Sequence, residues 1–138
     1  MQYTLHLSTL DMKKLHTHAE AELPREAAAL LFGSISGHSV IVNRAELVQN
    51  DAISNKTQFI VNPEEQYRLM MEAEEQDEDL VGIFHSHPAP PFPSSRDQKN
   101  MKLNPVVWLI ASKESGNWVS KGFLMDNDQV KKVGLHLT

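Results

Sequence analysis

The sequence contains no cysteine. That absence removes disulfides, thiol nucleophiles, thiolate zinc sites and iron–sulfur clusters together. Any metal must be held by nitrogen and oxygen. Basic charge is also in short supply. Thirteen lysines and arginines stand against 18 aspartates and glutamates, a net charge of -5. A mildly acidic protein is a poor partner for nucleic acid, whose sequence-independent binding rests on neutralising phosphates. No apolar run approaches the ~18 residues of a membrane-spanning helix. The opening MQYTLHLSTL lacks the basic-then-apolar pattern of a secretory leader, so the expected location is the cytoplasm. No repeat, linker or low-complexity block interrupts the chain.

What is present fits one domain spanning residues 1–138, with 41 % hydrophobic and 22 % charged residues, enough to bury a core without staples. Residues 2–7 read as a short strand. Ser8 and Asp11 form a capping-box pattern, starting a helix that runs to about Glu22 and stops before Pro24. Residues 25–37, REAAALLFGSISG, read as a buried strand with a turn at Ser36-Gly37-His38, and 40–48 as the returning strand. Residues 49–58 read as a polar loop and 59–61 as a short strand at most. Asn62-Pro63-Glu64-Glu65 starts a second helix running to about Asp77. Its acidic tail, 72–79, reads as a solvated helix end. Then come a strand over 80–87, a proline-rich loop, a helix over 94–103, and strands over 105–112, 117–125 and 130–137. The expected fold class is α/β, a mixed central sheet flanked by about three helices.

Two histidine pairs share the spacing H-x-H: His16/His18 and His85/His87. Side chains at i and i+2 lie on one side of a strand but diverge on a helix. His16 and His18 fall in the first helix and read as surface histidines. His85 and His87 end a strand, where two imidazoles can grip one ion. Nine residues, 88–96, separate Asp97 from His87, in a loop holding Pro88, Pro90, Pro91 and Pro93. A catalytic zinc site needs three protein ligands and one open position, and Asp97 is the obvious third ligand. A blander reading stands beside this one: Ser94-Ser95-Arg96-Asp97 is itself a capping box, and the histidines could be polar strand ends. Glu26, at the mouth of the apolar run Ala27–Phe32, is a candidate general base, since an acid there is costly without a partner or a task.

H-S-H-P (85–88), the proline-rich loop and P-S-x-x-D resemble the signature of the JAMM (MPN-plus) zinc metalloproteases. P-R-E-A-A-A-L-L-F-G (24–33) resembles the family segment that carries its catalytic glutamate. Asn50, Ser54, Phe59 and Pro63 resemble the lead into the family's second helix. The chain departs in three places. Its metal loop is one residue shorter than usual, Ala29 stands at a glycine position, and Ala28 stands where a cysteine is common. The resemblance implies a JAMM/MPN-like, cytidine-deaminase-like architecture. It implies one Zn²⁺ per chain held by His85, His87 and Asp97, with Glu26 as general acid/base. Ser94, with Ser95 as rival, would be the serine that steadies the oxyanion. It also implies isopeptide cleavage after the C-terminal tail of ubiquitin-like or sulfur-carrier proteins, the tail paired with an exposed strand edge. Seven residues between Asp97 and Pro105, and an end at Thr138, leave little room for the clamp insertions and helical tails of large members. A minimal prokaryotic or archaeal-type member is therefore expected. It would engage modifier proteins and their conjugates, with no nucleic acid or membrane, and a homodimer is admissible. The rivals are a zinc hydrolase of a small amide and a metal-free scaffold of the same fold.

Overall fold

The computed structural model describes residues 2–49, 62–87 and 90–138. The expected loop over 49–58 and short strand over 59–61 lie, Gln49 apart, outside the described residues. Elsewhere, caps and turns fall where the chain's local chemistry puts them. Strand β1 (Thr4–Leu7) leads to helix α1 (Thr9–Glu22), whose N-cap Ser8 accepts the Asp11 amide. Strands β2 (Ala28–Ser36) and β3 (Ser39–Val48) form a hairpin. Helix α2 (Pro63–Glu75) opens on Asn62, whose side chain accepts from the amides of Glu64 and Glu65. Strand β4 (Asp79–Ser86) and helix α3 (Ser95–Leu103) follow, then β5 (Val107–Glu114), β6 (Asn117–Asp126) and β7 (Gln129–Leu137). The last two turns, Ser115-Gly116 and Asn127-Asp128, have positive φ at both residues, the conformation that matches the twist of two-residue hairpins.

The expected mixed sheet is present, with strand order β1-β3-β2-β4-β5-β6-β7. β1 is parallel to both β3 and β7, and the β1–β7 pairing closes the sheet into a barrel. β4 and β5 are also parallel, while the remaining neighbours are antiparallel. β2 carries a register shift at Phe32/Gly33 against β3. Only glycine fits there, because a Cβ on Gly33 would lie 1.8 Å from the Ile41 carbonyl oxygen.

The side chains sort into two cores. Leu5, Leu31, Phe84 and Leu109 pack with Met12, Leu15 and Ala19 of α1. Leu30, Phe32, Ile83, Trp108 and Ile110 pack with Leu69 and Ala73 of α2 and Met101 of α3. The acidic tail of α2 is only partly the solvated end expected. Glu72 makes an exposed pair with Arg68, but Glu78 is mostly buried and holds Arg44 at 3.1 Å. The same guanidinium lies 4.6 Å from the centre of the Phe32 ring. Among the described residues, no helix is long and apolar enough to cross a membrane.

Candidate metal centre and active site

Three elements meet at one end of the sheet. The β2–β4 ladder ends at Ala28↔His85, and β5 runs parallel to β4 with Ile110 opposite His85. His85 is fully buried and His87 nearly so. Strand alternation puts both rings on one side, with centroids 5.7 Å apart. His87 falls just past β4, yet its amide still donates to the Ala111 carbonyl at 2.7 Å, so the backbone that carries the second ring continues the pairing of β4 with β5. Trp108 meets the His85 ring edge to face, at 5.7 Å and 85°, and limits its rotation. Trp108 is itself held by a bond from its indole N–H to the Asn104 carbonyl.

Helix α3 brings the acid. Ser94 is its N-cap, and the capping box is complete: Ser94 Oγ accepts from the Asp97 amide at 3.1 Å, and Asp97 Oδ2 accepts from the Ser94 amide at 2.8 Å. The carboxylate also faces both histidines. Asp97 Oδ1 lies 3.5 Å from His85 Nε2, and Oδ2 lies 3.4 Å from His87 Nε2. The cap and the ligand readings of Asp97 are therefore compatible. The cap orients the carboxylate that the histidines meet, as outer hydrogen bonds do for metal ligands. Burial opposes ionisation of Asp97, but a hydrogen bond from His87, the charge of His85 and the bonds from Ser94 outweigh it, lowering its pKa to about 2. An ionised carboxylate beside imidazole nitrogens that can offer a lone pair is what a divalent cation needs.

Among the described residues no three such side chains stand as a ready-made cage, and the two imidazoles approach different oxygens of Asp97. The donor set nevertheless fits zinc. Both imidazoles present Nε2 to the one carboxylate, at 3.5 and 3.4 Å from its two oxygens, and these are donor types that zinc takes. Two nitrogens and one oxygen leave the fourth position open.

Glu26 also reaches this place. It lies two residues before β2 begins, not on the strand as expected, and is 4 % exposed. Its Oε1 is 3.3 Å from His85 Nδ1, the nitrogen turned away from Asp97. The Ser86 carbonyl is equally close to Nδ1, at 3.3 Å. A proton on Nδ1 shared with these oxygens leaves the Nε2 lone pair for a metal. Between the two serines, Ser94 is the cap that bonds Asp97, whereas Ser95 is an exposed first-turn residue. The loop before them packs Pro91 and Pro93 inside and sets Phe92 edge-on to Phe123 at 5.4 Å. The first two residues of that loop, 88 and 89, lie outside the described residues.

His16 and His18 stay out of this cluster, but they are not surface residues. Both are half-buried. His16 Nε2 meets Ser120 Oγ at 2.6 Å, and burial lowers its pKa. His18 Nε2 meets the Ala28 carbonyl at 3.1 Å. The rings diverge as helical spacing requires, each toward a different strand. The residue the sequence reading passed over is Ser86. It is 2 % exposed and accepts the Ala27 amide at 2.7 Å through its hydroxyl. The signal was available: a small polar side chain at a buried position of an apolar strand.

Residues 11–121 match the family of prokaryotic homologs of the JAB domain. Desampylase from Pyrococcus furiosus is 32 % identical over 127 residues, 91 % of this chain and 89 % of that protein. Desampylase from Haloferax volcanii is 30 % identical over 68 % of this chain and 67 % of its own length. COP9 signalosome complex subunit 5 of Candida albicans is 29 % identical over 60 % of this chain, a match to 15 % of that protein. The solution structure of a protein from Desulfitobacterium hafniense agrees with a TM-score of 0.85 at 31 % identity, covering 97 % of this chain and 92 % of that one.

Proposed function

The chain belongs to the prokaryotic JAB-domain branch of the JAMM family, and from that premise we propose that it is a zinc-dependent isopeptidase that releases ubiquitin-like modifiers from their conjugates. The observation that carries the reading is the meeting of His85, His87 and Asp97 from two separate elements, with buried Glu26 on the same imidazole. The two desampylases, similar over most of this chain, support the substrate class by name.

His85, His87 and Asp97 would hold the zinc, and Glu26 would remain outside the ligand set. Bound there, zinc supplies a Lewis acid for the scissile carbonyl and acidifies a water to near neutrality. Glu26 takes the proton from the attacking water and passes it to the departing lysine amine. Its burial keeps the carboxylate from being solvated away from that task. Ser94 donates its hydroxyl proton to the developing oxyanion while its lone pair keeps the Asp97 amide. The modifier's C-terminal tail, whose last residues must be small and extended to enter beside α3, lies along the loop that carries Phe92. Among the described residues the sheet closes through β1–β7, so strand-edge pairing of the tail is confined to the end of the sheet beside the site.

The test uses the zinc-loaded protein and a ubiquitin-like protein joined through its C-terminal carboxyl to a lysine side chain. Release of the free modifier is expected, abolished by 1,10-phenanthroline and restored by added zinc. Release that survives chelation overturns the metal role. Hydrolysis of small amides without release from any such conjugate overturns the substrate class.

A further inference from the structure

The end of the β2–β4 ladder is built abnormally. Beyond Ala28↔His85, Ala27 and Ser86 face each other. In an ordinary antiparallel rung each amide donates to the other's carbonyl. Here one half is ordinary: the Ser86 amide donates to the Ala27 carbonyl at 3.0 Å. The other half is not. The Ala27 amide donates to the Ser86 hydroxyl oxygen at 2.7 Å. The hydroxyl has taken the place of the Ser86 carbonyl, which stands 3.3 Å from His85 Nδ1 instead.

We infer that Ser86 is a positioning residue that sets the metal ligand and the general base together. Through its hydroxyl it pins Ala27 and so fixes the backbone beside Glu26, which lies just before β2 begins. Through its displaced carbonyl it offers an acceptor to His85 Nδ1, which holds the ring in the tautomer with Nε2 free for metal. Both effects need an acceptor on the side chain of residue 86. Neither needs that side chain to touch metal or substrate, since alternation turns it away from the two imidazoles. The inference rests on the metal-and-base reading of the site proposed above.

Substitution by alanine does not leave the Ala27 amide stranded. The carbonyl of residue 86 can swing back to accept it and restore an ordinary rung. Ser86→Ala should therefore fold with nearly wild-type thermal stability, yet lose its grip on His85. We expect its zinc affinity, measured against a competing chelator, to fall by ~10–100-fold, as for other outer-sphere partners of metal-binding histidines. We expect kcat on a ubiquitin-like conjugate to fall at saturating zinc by about tenfold or more, with KM within about twofold, because only the reacting groups are displaced. In the zinc-free full chain, at a pH high enough to leave no imidazolium signal, ¹⁵N spectra should show His85 as the Nδ1–H tautomer in wild type and as a mixture in Ser86→Ala. Ser86→Thr, which keeps the hydroxyl, should recover the wild-type tautomer and zinc affinity. Wild-type affinity and tautomer in Ser86→Ala would overturn the inference. A wild-type protein that cleaves no conjugate would overturn the isopeptidase reading alone, because the zinc titration and the spectra still decide the role of Ser86.

Discussion

One carboxylate at Asp97 serves a helix and faces two imidazoles, whereas the carboxylate of Glu26 stands at the outer nitrogen of one. Neutralising each should therefore separate binding from turnover. Asp97→Asn replaces a charged oxygen donor with a neutral amide and weakens the N-terminal cap of α3 as well. It should lose bound zinc, and with it activity. Glu26→Gln keeps shape and hydrogen-bonding capacity but cannot accept the water's proton. It should retain one zinc per chain while kcat falls by ~10²–10⁴-fold. Elemental analysis beside a cleavage assay checks both variants, and turnover at the wild-type rate in Glu26→Gln would remove it from the mechanism. The sequence disclosed these residues by different signals: Glu26 as an acid at the edge of an apolar run, and Asp97 as the acid that follows the H-x-H pair and its proline-rich loop. Ser86 was harder to read. Its part depends on a carbonyl turning aside, and backbone rotation leaves no mark on residue order.

The same spacing, H-x-H, means different things on different elements. At the end of β4 it sets two rings edge to face, both toward α3; on α1 it sends one to Ser120 and the other to Ala28. The strand-or-helix decision was legible from periodicity, and with it the choice of pair. The degree of burial was not, because α1 lies under strands whose arrival depends on distant chain. Replacing His16 and His18 together by alanine should leave zinc content unchanged. It should lower stability by about 1–3 kcal/mol, the usual net worth of two part-buried hydrogen bonds. Elemental analysis and urea unfolding provide the check, and loss of zinc would place the metal elsewhere. Boundaries were less legible than types. β5 begins two residues later than the apolar run at 105 suggests. Pro105 has no amide to give a ladder, and the Asn104 carbonyl is committed to the Val106 amide and the Trp108 indole.

Across the molecule, the mixed sheet and three helices could be read from the order of elements, but the closure of the sheet could not. β1 is four residues long, and its partners on β7 lie about 130 positions away in the chain. Nothing near residue 4 encodes a register with residue 134. That register, Thr4↔Gly134 through Leu7↔Leu137 in parallel, has a mechanical consequence. Tension applied at residues 4 and 137 pulls the two strands in opposite directions along their length, so every hydrogen bond of the seam is loaded at once. Tension applied at residues 117 and 137 instead draws on the same end of the antiparallel β6–β7 pair and opens it one bond at a time. Handles can be placed cleanly, since a chain without native thiols reacts only where a cysteine is introduced. With Thr4→Cys and Leu137→Cys, single-molecule pulling should give a higher rupture force than with Asn117→Cys and Leu137→Cys, and equal forces would mean that the seam is not what holds the barrel shut. A protein stapled at its seam by shear should resist unfoldases that pull from either strand of that seam far better than its modest size suggests.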